Sequence, residues 1–85
     1  MKQWLLRRRE LFMSEYNEAL KHSNPCNHDD SGSYVNRVIH NTMDGLHPHF
    51  YLNHDFDYKL LFEVILNMVY VELNEKYYSE IENCE

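Results

Sequence analysis

The sequence predicts an all-α domain of three helices, the last of them long and buried. Three observations carry this expectation. Glycine and proline are scarce, two of each in 85 residues, which leaves little material for the turns of a β architecture. Three stretches repeat apolar residues three and four apart, the spacing of one helix face. The segment from Leu60 to Val71 is apolar in nearly every direction around a helical axis, as expected of a helix covered on all sides.

The first helix is predicted over residues 3–22. At about 100° per residue, Leu5, Leu6, Phe12, Met13, Tyr16, Ala19 and Leu20 share one broad face. Arg7, Glu10, Ser14, Asn17 and Glu18 share the other. Arg9 falls in the apolar sector. Either its alkyl stem carries the charge outward or it pairs with Glu63, the one charge in the first apolar turns of the last helix. Residues 23–32 read as a loop, punctuated by Pro25 and Gly32 and rich in Asn and Asp, whose side chains compete for local backbone bonds.

The second helix is predicted over residues 33–44, with Ser33 as N-cap. Val35, Val38, Ile39, Thr42 and Leu46 form its apolar stripe, and Gly45 closes it in a left-handed conformation. The alternative is an α+β domain with a hairpin at 33–53, its strands at 33–40 and 46–53 and its turn at Met43-Asp44-Gly45. Pro48 weakens the second strand of that hairpin. His47 to His54 then read as a connector whose Phe50, Tyr51 and Leu52 need cover. Asp55 or Asp57 starts the last helix, predicted over residues 56–82, where an acid suits the dipole of the first turn. Its second half is solvated, with Glu72, Glu75 and Glu82 along one side.

This length allows one domain with a small core, which invites staples or self-association. The net charge of −6 argues against direct binding to nucleic acid, whose phosphates repel an acidic surface. Glu63, Asn67 and Glu72 interrupt the longest apolar run, which falls short of the roughly 18 residues of a membrane span. Trp4-Leu5-Leu6 runs straight into Arg7-Arg8-Arg9 and is too short for a signal peptide. The expected setting is therefore the cytoplasm; a Cys26–Cys84 bridge is one option, but two cysteines far apart make no disulfide framework and read as two reduced thiols there.

No residue pattern points to catalysis. Two glycines cannot build a phosphate-cradling loop, and no HExxH pairing exists for a catalytic zinc. Paired carboxylates such as Asp29-Asp30 suit loops and caps better than acid/base chemistry. All six histidines fall between His22 and His54. Cys26 with His28, and His47 with His49, are weak metal-ligand candidates without the spacing of a zinc module, and no metal or cofactor is expected. Arg7-Arg8-Arg9 reads as a solvated helix edge. These features describe a binding protein rather than an enzyme.

One stretch carries a resemblance. Ile39-His40-x-x-x-Asp44-x-x-x-Pro48-His49-Phe50-Tyr51 resembles a helix-end segment of the Ocr-type antirestriction proteins of bacteriophages. The likeness implies an acidic helical dimer that imitates duplex DNA and occupies the DNA groove of a host restriction enzyme or another nucleic-acid-processing complex. Carboxylates three and four apart on a helix are neighbours roughly 5–6 Å apart, so a row of them can stand in for phosphates. Glu72, Glu75 and Glu82, with Glu80 and Glu85 close by, are the expected partner-binding row. Phe62, Leu66 and Leu73 are the expected seam of a homodimer. The alternatives are an adaptor or regulatory subunit whose apolar third helix meets its partner, and a small metal-stabilised domain.

Overall fold

The computed structural model describes residues 2–51 and 57–84. They are all-α, with no strand among the described residues, so the hairpin alternative falls. The elements are α1 (Lys2–Arg7), α2 (Arg9–Lys21), a 3-10 turn (Pro25–Asn27), α3 (Ser31–Tyr51) and α4 (Tyr58–Ile81). The single first helix expected over 3–22 is two pieces, broken at Arg8, whose guanidinium lies 5.9 Å from the Phe50 ring centre. Leu5 and Phe12, on either side of the break, both reach the core. Arg9 is exposed and no ion pair joins it to Glu63 among the described residues.

The middle of the fold is α3, against which α2 and α4 both pack. Its stripe of Tyr34, Val35, Val38, Ile39, Thr42, Met43, Leu46 and Phe50 is at most 2% exposed. Thr42 enters this core because its hydroxyl donates back to the Val38 carbonyl at 2.8 Å, which satisfies the buried group. The helix begins earlier than expected. Asp30, not Ser33, is its N-cap, accepting from the Ser33 backbone N–H at 2.7 Å. That bond holds the Asp30 carboxyl below its usual range.

α3 also ends later than expected, running through Gly45 and Pro48 to Tyr51. The expected stop at Gly45 is therefore corrected, and the physical reason lies beyond it. Leu46 and Phe50 continue the stripe and are enclosed. Burying two such side chains contributes roughly 1.5–3 kcal/mol each, enough to offset the roughly 3 kcal/mol cost of proline inside a helix. Gly45 serves instead as a close approach: a Cβ there would collide with the carboxylate of Glu15 from α2.

Asp57 caps α4, accepting from Leu60 N–H at 3.1 Å; Asp55 and the rest of the connector, Leu52 to Phe56, lie outside the described residues. α4 is not buried all round. Leu61, Ile65, Val69, Leu73 and Tyr77, every fourth residue, form the ridge that meets the core, joined by Val64. Such an i, i+4 ridge seats in the groove of one facing helix, here α3. Tyr70 and Val71 on other sides are 48% and 67% exposed. The expectation of a helix covered on every side is corrected, because one neighbouring helix covers only one face.

The two cysteines are not reduced thiols. Cys26 and Cys84 are joined by a disulfide with Cα atoms 5.8 Å apart. The 3-10 turn packs against α4 and brings together residues 58 apart in sequence. No described helix is long and apolar enough to cross a membrane.

Candidate functional site

α2 and α4 share α3 as their common neighbour and leave a groove of about 360 Å³ between them. Leu6, Met13 and Met68 form its apolar rim, and Arg9 and Glu72 its charged ends. Leu6 is 56% exposed, and Met13 and Met68 are each 37% exposed. Across the groove the Tyr16 hydroxyl donates to Glu72 Oε1 at 2.6 Å. Burial and then this carboxylate push the Tyr16 phenol well above its ordinary pKa, so Tyr16 stays a donor and fixes the direction of Glu72.

Beyond Glu72 the same side of α4 carries Glu75 and Glu82. The positions 72, 75, 79 and 82 step by three and four, which aligns them on one stripe. Met68 and Val71 precede them on that side. All three carboxylates of the stripe are exposed, and none of them makes an ion pair among the described residues. Glu80 does not belong to the row. It lies off the stripe and pairs with Lys76 Nζ at 2.8 Å. Glu85 lies outside the described residues.

The expected dimer seam is not assembled as a surface. Leu73 is fully enclosed in the chain's own core, since it lies on the every-fourth-residue ridge facing α3. Phe62 and Leu66 are half-buried against the same core, and the Phe62 ring meets His40 at 5.4 Å between centroids. The weak metal candidates are scattered as well. Cys26 is consumed in the disulfide. His28 precedes α3 while His47 and His49 sit in its last turns, separated by about 25 Å of helix at 1.5 Å per residue. No group of three metal-capable side chains forms among the described residues.

His22, His28 and His40 instead line one open polar cavity of about 670 Å³ with Arg37. Arg37 was not singled out by sequence. Its signal is present in retrospect: Ser33, Asn36, Arg37 and His40 step by three and one along α3, a polar stripe beside the apolar one. The segment 39–51, which carries the likeness to antirestriction proteins, is one continuous stretch of α3. Comparison with family models, with curated proteins and with solved structures finds no match to this chain.

Proposed function

We propose that this chain is a non-catalytic binding protein that docks onto a basic, partly apolar surface of a nucleic-acid-processing protein and blocks it. The observation that supports this reading is the outer side of α4, where exposed Met68 and Val71 run directly into the exposed carboxylates of Glu72, Glu75 and Glu82, which make no ion pair among the described residues. An acidic stripe next to apolar anchors suits a partner whose cationic surface normally receives phosphates, with the apolar part supplying affinity and the charges supplying steering. A host defence nuclease is the partner class implied by the resemblance, and the cytoplasm the setting. Because a reducing cytoplasm opposes the Cys26–Cys84 bridge, binding is to be assayed with the bridge both oxidised and reduced.

The test is capture of the partner from host extract, followed by affinity measurement across a salt series. Glu72→Gln, Glu75→Gln and Glu82→Gln together should abolish most binding at unchanged helix content, while Arg7→Gln, Arg8→Gln and Arg9→Gln should not weaken it. Binding that survives the triple glutamine variant and ignores salt means that the apolar groove alone carries recognition, as in a plain adaptor. A homodimer is a second reading, favoured by the exposure of Tyr70 and Val71. Sedimentation equilibrium returning a 10.4 kDa species at micromolar concentration rejects it.

A further inference from the structure

Away from the acidic side of α4, the end of α2, the 3-10 turn and the first half of α3 border the open polar cavity introduced above. Its composition runs against that of the chain. The whole sequence carries fourteen acids against eight lysines and arginines, yet no carboxylate lines this cavity among the described residues. His22, His28, Arg37 and His40 face it, with amides from Asn27 and Asn36 between them. Arg37 makes no ion pair among the described residues, so its five donors are uncommitted. Asn24 also lines the cavity, and its side-chain oxygen already accepts from the Cys26 N–H at 3.0 Å, which leaves its amide NH2 as a donor. His22 is the least available of the set, because Glu18 engages its Nε2 at 3.3 Å.

We infer that this cavity binds a small phosphomonoester with a hydroxyl-rich body, such as a sugar phosphate. Converging guanidinium, imidazole and amide donors match the oxygens of a phosphate, and a planar guanidinium engages two of them at once. The cavity is open to solvent and, at about 670 Å³, leaves room beside these donors for more than a bare oxyanion. Asn36 and Ser33 supply both donors and acceptors, which suit hydroxyl groups rather than an apolar body. The adjoining cleft shares His22 and Arg37 with this cavity and adds Glu15 and Glu18 of α2, whose charges disfavour an anion on that side of Arg37. The disulfide holds the wall that carries Asn24, Asn27 and His28 against the end of α4.

The experiment is a titration of the isotope-labelled full chain with ribose 5-phosphate, inorganic phosphate and ribose at constant ionic strength, read from backbone amide shifts. Saturable shifts at Asn27, His28, Arg37 and His40 are expected with ribose 5-phosphate, weaker binding with inorganic phosphate, and none with ribose. Arg37→Gln should lower affinity by about tenfold or more, the effect of one charge-assisted contact, with the amide spectrum otherwise retained since Arg37 is exposed. The triple replacement of Arg7, Arg8 and Arg9 by glutamine should leave binding unchanged. Unsaturable shifts, equal affinity for inorganic phosphate, unaltered binding by Arg37→Gln, or loss of binding in the Arg7–Arg9 variant would each overturn the assignment.

Discussion

Replacing Cys26 and Cys84 by serine tests how much of this small fold depends on its one covalent tie. The bridge closes a loop of 58 residues. In the chain-entropy treatment a loop of that size restricts the unfolded ensemble by about 14 cal/mol/K, or roughly 4 kcal/mol at room temperature. Serine itself costs little, because Cys26 is exposed and Cys84 is half-buried, so nearly all of the change belongs to the bridge. A domain of this size has a total stability on the order of 4–13 kcal/mol, so the loss takes a large share of it. Urea denaturation followed by circular dichroism should show the midpoint fall by roughly 2–4 M. Reduction of the unaltered protein should lower its midpoint to match, and reductant should leave the double serine variant unmoved. A loss under about 1 kcal/mol, well below the loop-closure figure, would refute the reasoning. It would mean that the contact between the 3-10 turn and α4 persists in the unfolded chain or adds nothing to the folded one.

Three further outcomes follow from single groups. Tyr34 is fully enclosed and its hydroxyl has no hydrogen-bond partner among the described residues; Tyr34→Phe removes an unsatisfied group and should stabilise the chain by about 1 kcal/mol, seen as a higher thermal midpoint, and a lower midpoint would show that the hydroxyl is bonded. The Tyr34 phenol is pushed up to about 12 by burial and by the charges of Glu80 and Glu72, and Tyr16 is raised by burial and Glu72. Above the ordinary value of 10.0 the unfolded chain therefore releases protons that the folded chain keeps, so stability is complete below pH 10 and declines from there towards 12; tyrosinate absorbance in which all seven tyrosines titrate together near 10, with the helices intact, would contradict this. Gly45→Ala gains about 1 kcal/mol of helix propensity and must displace the half-exposed Glu15 carboxylate; a small net stabilisation is expected in chemical denaturation, and a loss beyond 1 kcal/mol, more than the propensity gain, would show that Glu15 is held in place.

What the sequence by itself determined is local. Apolar spacing of three and four marks which residues share a helix face, and Phe12, Tyr16 and Ala19 of α2 and Val35, Val38 and Ile39 of α3 are all enclosed. An acid at Asp55 or Asp57 marks the start of α4, of which the structure selects Asp57, and the Glu72–Glu75–Glu82 row follows from helical geometry alone. The tertiary structure decided the rest, because periodicity names a face without naming what covers it. α3 passes Gly45 and Pro48 since Leu46 and Phe50 find places in a core assembled by distant residues. α4 is covered on one side only, since α3 is the main element packed against it and the 3-10 turn adds a smaller contact, and so Leu73 sits inside while Val71 faces out. The disulfide and the polar cavity are both products of where the 3-10 turn comes to rest. Cys26 and Cys84, or Asn24 and His40, carry no signal of mutual nearness until α2, α3 and α4 have packed, and that packing is set by long-range contacts that no single window of sequence contains.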